Sequence, residues 1–445
     1  MQCHRCVPLR HARGSIEFLG DKSIAHRAVI VSALSDSKTT LTNFPASKDC
    51  CATIAALQQL GVPISVRKNS GNRCTVKVCG VGLYGLMPSR KPITIQESGT
   101  TFRLLAGVLA GQPFCSTLAA GPLLSKRPMK RITLPLRAMG ASIQGVETLK
   151  KKSEEFPPLA IRGASLRGIT YRLPVASAQV QSAILLAGLF AHGKTSVIGP
   201  PTMRDHTARM LRLFGVSVKS ADSVVSLRGA DKLISPGHIV IPGDISSAAF
   251  FIVLASIVPG SHLVLRNVSL NPTRIGIISV LKRMGASITV CPRQASAGGF
   301  EPCGSLIVKF ASLHGTVVKK TEIPLLIDEL PVLMVAASKA SGKTIFQGVQ
   351  ELRVKETDRI QSMVRNLNAM GVRLTVRLLK GRQDIIVEGG HRLRGASVKS
   401  YGDHRTAMSM IVAAAAAEGV TKLDDVSCIK KSFPSFLSVI RTISK

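Results

Sequence analysis

The sequence predicts an α/β protein of two lobes, each holding three copies of one strand–helix–strand–helix–strand unit. Three observations carry that prediction. A helix end followed by a short alternating strand recurs as "LGVPISV", "MGASIQGV", "FGVSVKS", "MGASITV" and "MGVRLTV". Its glycines, Gly61, Gly140, Gly215, Gly285 and Gly371, lie 79, 75, 70 and 86 residues apart. Glycine suits the position just past a helix end, where a positive φ is cheap only without a Cβ. A turn-then-strand segment recurs between them: "SKTTLTNF", "GQPFCSTLAAG", "GKTSVIGP", "GSHLVLRNV", "GKTIFQGV" and "GVTKLDDV". Finally, 445 residues that are 45% hydrophobic, with 38 glycines spread along the chain, suffice for two or more domains with their own cores.

Each turn-then-strand segment follows an Ala-rich apolar helix. The six helix starts read "DKSIAHR", "ESGTTFR", "ASAQVQS", "DISSAAF", "DELPVLM" and "DHRTAMS". Each of the first five segments precedes a second helix that ends in the glycine signal, so units of about 75 residues fill the chain. The sixth unit stops at its helix "FPSFLSVIRTISK" without a closing strand, whereas "GSIEF" near the N-terminus is a strand to spare. Assigning that strand to the domain of the last three units gives lobes at about 20–235 and at 1–19 with 236–445. The chain then crosses between lobes near "FLGDK" and "ISPGHIVIPGD", a wiring expected to form a hinged cleft that closes on a ligand.

Composition narrows the function. The longest apolar runs, "AAFFIVLASIV" and "MIVAAAAA", are of core-helix length, short of a membrane span. The N-terminal "MQCHRCVPLRHARG" has no apolar h-region, so a cytoplasmic protein is expected. Ten cysteines at irregular spacing do not make a disulfide framework. Cys3 and Cys6 form a C-x-x-C with no second pair at zinc-site spacing, a chance pair in a loose N-terminus, while Cys50, Cys51 and Cys115 read as buried thiols. The charge is the informative number: 59 Lys and Arg against 25 acidic residues, a net +34. Nucleic-acid binding and an enzyme for polyanionic small molecules both fit. The absence of Trp, 4% aromatics and the lack of a Lys/Arg-rich tail favour the enzyme.

The segment "LGDKSIAHRAVIVSAL" sets Lys22, Ser23, His26 and Arg27 on the first turns of a helix, an end that is already electropositive. Such clustering is disfavoured unless an anion sits there, and unpaired N–H groups at helix starts attract anions by themselves. "ESGTTFR" repeats the device with Ser98, Gly99, Thr100 and Arg103. Further basic clusters are Lys126 and Arg127, Arg204, Arg353 with Lys355 and Arg359, Arg405, and Lys430 with Lys431. Taken singly, each reads as surface charge, and His26 and His404 as packing or capping groups. Recurrence at one phase of a repeat points to a shared anion site. Two carboxylates break the pattern: Asp328, which alone reads as an N-cap, and Glu356, which alone reads as a solvated partner of its basic neighbours. In a cleft full of cations they are the groups that proton transfer requires.

The motifs "GDKSIAHR", "ESGTTFRLLAG", "KRPM", "ASAQVQSAILLAGL", "RDHTARM", "RVKETDR", "GDHR" and "KKSFP" occur in an order that closely resembles the EPSP synthases (3-phosphoshikimate 1-carboxyvinyltransferases) over essentially the whole chain. The resemblance implies the enolpyruvyl-transferase fold, a two-lobed inside-out α/β barrel of six βαβαββ repeats, three per lobe. It implies transfer of the enolpyruvyl group of phosphoenolpyruvate (PEP) to the 5-hydroxyl of shikimate 3-phosphate, in chorismate and aromatic amino acid biosynthesis, with no metal or organic cofactor. By the same resemblance Lys22, Gly99, Arg127, Gln179, Arg359, Arg405 and Lys431 line the PEP position. Lys22, Ser23, Arg27, Ser177, Ala178, Gln179, Arg204, Asp328 and Lys355 meet shikimate 3-phosphate. Asp328 is then the general base, while Glu356 and Lys22 move protons at the PEP methylene. The first lobe takes the shikimate 3-phosphate side, and the second supplies the Asp, the Glu and PEP-binding cations.

Leu19, Ala25, Glu97 and Met203 depart from the family pattern, where Pro, Ser, Asn and Ser are usual. The lost hydroxyl at 203 and the added carboxylate at 97 are expected to alter binding of PEP or of its mimics. A UDP-N-acetylglucosamine enolpyruvyl transferase is the nearest alternative; it works with a Cys on a mobile Gly-rich loop, whereas Cys115 lies in an apolar strand context. An RNA-binding or RNA-end-processing protein of related fold is the other, and the sequence has no P-loop. The partners expected are the two small-molecule substrates, with no obligatory nucleic acid, no membrane and a monomeric state.

Overall fold

The helix starts singled out by the sequence all open helices in the computed structural model, which describes residues 3–69, 73–148, 151–293, 301–379 and 381–445. The first six are α1 (Lys22–Ala33), α2 (Lys48–Gln59), α3 (Gly99–Leu109), α4 (Lys130–Ala138), α5 (Ala178–Gly188) and α6 (His206–Leu213). The next six are α7 (Ile245–Ile257), α8 (Gly276–Arg283), α9 (Leu330–Lys339), α10 (Arg359–Ala369), α11 (His404–Ala415) and α12 (Phe436–Ile443). The Ala-rich helices α1, α5, α7 and α11 are buried on nearly every side, as a helix apolar all round must be. Helices α6, α8 and α10 bury one stripe and expose the other. Gly61, Gly140, Gly215, Gly285 and Gly371 have φ of 85°, 108°, 85°, 92° and 89°, the left-handed conformation inferred for them.

Two lobes of repeated βαβ-type units result. The first comprises Leu19–Pro242 with Ala295–Glu301, the second Met1–Phe18, Gly243–Gln294 and Pro302–Lys445. The chain therefore passes between them at 18/19 and 242/243, and Glu301 adds an excursion that periodicity does not reveal. Each lobe has its own apolar core.

The sheets share one plan: a parallel outer strand, a central strand, then two antiparallel strands. In the first lobe one sheet runs His238–Val240, Lys38–Pro45, Arg73–Cys79, Ile64–Lys68. A second runs Ile93–Ile95, Cys115–Ala120, Lys151–Arg162, Ser142–Thr148, and a third Thr170–Arg172, Lys194–Ile198, Val224–Arg228, Lys219–Ala221. In the second lobe the spare strand, Arg13–Glu17, lies parallel to His262–Ser269. Val317–Val318 takes that place beside Lys343–Phe346.

The last sheet differs. Ser397–Val398 and Thr421–Leu423 are joined by His4–Cys6, antiparallel to Thr421–Leu423. The N-terminal segment is thus held rather than loose, and Cys6 is buried. Two of the thiols expected inside are outside: Cys51 and Cys115 are exposed, and only Cys50 is buried. Cys51 occupies the solvent side of α2, and Cys115 opens its strand on the solvent face, where alternation places every second residue. Among the described residues no helix is long and apolar enough to cross a membrane.

Candidate functional site

In the first lobe most of the predicted residues sit at the starts of α1, α3 and α5, with Arg127 after the 3-10 turn Leu124–Lys126, and side-chain hydrogen bonds join those helix starts. Asp21 caps α1, Ser98 caps α3 and Ser177 caps α5. Arg27 donates from Nε to Thr207 Oγ1 on α6 (2.7 Å), from Nη2 to Ser182 Oγ on α5 (2.7 Å) and from Nη1 to the Ser23 carbonyl (2.8 Å). Gln179 bridges α5 to α3, accepting from Arg103 Nη1 at 2.7 Å and donating to Thr100 Oγ1 at 3.0 Å. Lys22, half-exposed at the start of α1, pairs with Asp49 Oδ2 at 2.6 Å. Ala178 is the first residue of α5, and Arg204 lies in the turn ahead of α6.

Gly99 opens α3 beneath two guanidinium groups. A Cβ added there would lie 2.8 Å from Arg103 Nη1 and 3.4 Å from Arg127 Nη1. Burial, and then the nearby Arg127 and Arg131, pull the Arg103 guanidinium down to about 10. A lowered arginine reports crowded positive charge in a desolvated place, the electrostatic preparation for an anion.

The second lobe gathers a mixed cluster around α9, α10 and α11. Arg359, first residue of α10 and buried, donates from Nε to Asp403 Oδ2 at 2.8 Å and lies 3.8 Å from Asp328 Oδ1. Asp403 caps α11 by accepting from the N–H groups of Arg405 and Thr406. Arg405 donates from Nη1 to the Asp328 carbonyl at 2.8 Å and lies 3.8 Å from Glu329 Oε1. Burial alone lowers Arg405, but Asp328 and Glu329, with Asp244, hold it above the usual arginine value. Glu329 goes the other way: burial raises it, against Arg274, and Asp328 adds to the rise. The residue at the cap position of α9 is Glu329, not Asp328, so the capping role that an isolated Asp suggests does not occupy Asp328.

Glu356 Oε2 lies 3.0 Å from His404 Nδ1. Burial pushes this carboxyl up, but the His404 hydrogen bond and charge, with Arg359 and Arg405, outweigh it and bring it down to about 2. Glu356, Asp403 and His404 also lie close enough to share a metal ion. The chemistry of the set opposes one: Asp403 is already engaged by two backbone N–H groups and Arg359, and two guanidiniums flank the group. Lys355 pairs with Glu351 at 2.5 Å, and Lys431 stands exposed at the end of the 3-10 turn Ser427–Lys431, which packs on α11.

Sequence reasoning left Asp49, Ser182, Thr207, Glu329 and Asp403 aside. Each acts by holding a cation, and its partner is far along the chain, so spacing carries no signal for them. Arg103 was visible, four residues after Gly99 on one helix face. Of the departures, Ala25 is fully buried and Met203, partly buried, packs against the apolar core.

The architecture is that of an enolpyruvyl transferase: the enolpyruvyl transferase NikO from Streptomyces tendae superposes with a TM-score of 0.76 over 99% of this chain and 96% of that one, at 15% identity, a likeness of fold alone. The family is narrower. The sequence profile of EPSP synthase (3-phosphoshikimate 1-carboxyvinyltransferase) matches residues 8–440. The 3-phosphoshikimate 1-carboxyvinyltransferase of Desulforamulus reducens is 45% identical over 436 residues, 98% of each chain. That of Shouchella clausii is 45% identical over 97% of this chain and 96% of its own. A solved EPSP synthase from Acinetobacter baumannii is 41% identical with a TM-score of 0.89, covering 99% of this chain and 97% of that one. The chain belongs to the EPSP synthase family.

Proposed function

We propose that the chain transfers the enolpyruvyl group of PEP to the 5-hydroxyl of shikimate 3-phosphate and releases phosphate, a step of the shikimate route to chorismate and the aromatic amino acids. The observation that carries this reading is the provision of cations at helix starts in both lobes, at the positions that match the family's motifs. Two phosphates and two carboxylates repel severely unless fixed cations await them. Arg27, Ser23, the α5 start at Ser177, Ala178 and Gln179, Arg204 and Lys355 take shikimate 3-phosphate. Lys22, Gly99, Arg127, Gln179, Arg359, Arg405 and Lys431 take PEP, and both substrates meet Lys22. Six βαβαββ repeats in inside-out lobes, a monomeric state, a cytoplasmic place and chemistry without a cofactor belong to the same reading.

Asp328 accepts the proton of the 5-hydroxyl as its oxygen adds to C2 of PEP, and C3 takes a proton from Glu356 or Lys22, giving a tetrahedral phospho-ketal. Phosphate then leaves and C3 returns the proton, restoring the double bond. With no substrate present Glu356 is a carboxylate at neutral pH, since its value lies near 2. To protonate C3 it must first take up a proton, which negative charge brought beside it by the substrates favours.

Phosphate release assayed with PEP and shikimate 3-phosphate, UDP-N-acetylglucosamine or RNA ends tests the reading. Turnover is expected with shikimate 3-phosphate alone. Cys115, on a paired strand beyond the C-terminal end of an α3 that is about 16 Å long, is remote from Gly99 and argues against the UDP-sugar reaction. Asp328→Ala is expected to lose at least about a thousandfold in kcat with its unfolding midpoint retained; near-normal turnover removes Asp328 as the base.

A further inference from the structure

Glu97, where the family pattern has Asn, lies in the segment ahead of α3, one residue before the cap Ser98. Its carboxylate accepts two backbone hydrogen bonds from a separate segment: Leu123 N–H to Oε1 at 3.2 Å and Leu124 N–H to Oε2 at 2.7 Å. Those N–H groups open the 3-10 turn Leu124–Lys126, an end with no other side-chain cap. The turn closes on itself through Ser125 N–H to the Gly121 carbonyl and Arg127 N–H to the Leu124 carbonyl, both 2.9 Å. Its next residue is Arg127, whose Nη1 stands over Gly99.

We infer that Glu97 is a positioning residue that clamps the 121–127 turn to the start of α3 and so fixes Arg127 where the enolpyruvyl donor binds. The inference rests on the reading of Arg127 as a PEP cation. A carboxylate beside an anion site repels the ligand unless its charge is engaged; here each oxygen faces a backbone N–H, and bonds to a charged acceptor are the strong kind. An amide replaces it only in part, because its carbonyl oxygen is a neutral and weaker acceptor and its NH2 group offers the turn no acceptor. Aspartate is one carbon short of the turn.

The test is steady-state kinetics in both substrates for Glu97→Gln, Glu97→Asp and Glu97→Ala, with unfolding midpoints recorded. Glu97→Ala is expected to raise the KM for PEP about tenfold or more, and Glu97→Gln less, with kcat and the KM for shikimate 3-phosphate within about twofold. In an Arg127→Ala background, Glu97→Ala is expected to add less than about twofold, because the residue acts through Arg127. An unchanged PEP KM in Glu97→Ala, or a parallel rise in both KM values with a lowered midpoint, overturns the inference. Should Glu97→Ala not fold, Glu97→Gln decides by the same split. If wild type does not turn over, the enzyme reading fails and takes the inference with it. If wild type turns over and Arg127→Ala leaves PEP binding intact, the donor-site assignment fails first. If Arg127→Ala is impaired and Glu97→Ala is not, the inference alone fails.

Discussion

His26 is fully buried one turn into α1, and its imidazole begins a chain of side chains. Nδ1 lies 2.6 Å from Thr53 Oγ1, which lies 2.6 Å from Thr101 Oγ1, which lies 2.7 Å from Ser98 Oγ. One relay therefore ties α1, α2 and α3 where Lys22 and Gly99 stand. Burial, and then Lys22, drop His26 to about 3, so the ring is neutral in the folded protein. An unfolded His26 titrates near 6.5. Between these values the unfolded chain holds the extra proton, so this contribution is complete above about pH 6.5 and is lost as pH falls toward 3. His26→Gln is expected to flatten the fall of unfolding free energy between pH 6.5 and 4.5 by up to about 1.4 kcal/mol per pH unit, read by urea titration. An unchanged slope means that His26 is not the neutral member of the relay. The sequence supports no more than a packing role here, because the ring's partners come from helices 27 and 75 residues away.

At the scale of elements, what was local was legible. Helix starts, glycine ends and the turn-then-strand rhythm all depend on a few adjacent residues, and each is in place. Strand pairing was less so: that His238–Val240 joins Lys38–Pro45, or His4–Cys6 joins Thr421–Leu423, follows from long-range packing that no window of sequence contains. Helix α6 shows the consequence for the site. Its first turn is held by His206 Nδ1 against Glu301 Oε1 at 2.6 Å, both buried, and the next residue, Thr207, accepts from Arg27 and donates to Ser182. "RDHTARM" suggested Arg204; it gave no sign that Thr207 orients Arg27. Thr207→Val keeps the shape and removes both bonds. Its expected result is a KM for shikimate 3-phosphate raised about tenfold with the PEP KM little changed, measured by steady-state kinetics. Equal effects on both substrates would mean that Arg27 serves no particular one.

For the whole molecule, the net charge and its dispersal along the chain were legible, and which charges face one another was not. The +34 is dispersed over strands as well as helix starts; Lys194 and Arg228, for example, face each other directly across the third sheet of the first lobe. Like charges opposed in a sheet cost stability. The compensating gain is a long-range field that draws anions. Raising KCl from about 0.05 to 0.5 M is therefore expected to raise both KM values severalfold with kcat nearly constant, while sucrose leaves them unchanged. A kcat that falls with salt at constant KM would place the electrostatic effect in the chemical step instead.

The pairing of His4–Cys6 with Thr421–Leu423, and of Arg13–Glu17 with His262–Ser269, sets an order of assembly on the ribosome. These strands are translated before their partners, which follow roughly 250 to 400 residues later, after the whole 19–242 lobe has been made and can fold. Until then they wait as unsatisfied edges. Charged side chains on an exposed edge disfavour pairing with other chains, and "HRCVPLRHARG" places Arg5, Arg10 and Arg13 along this segment.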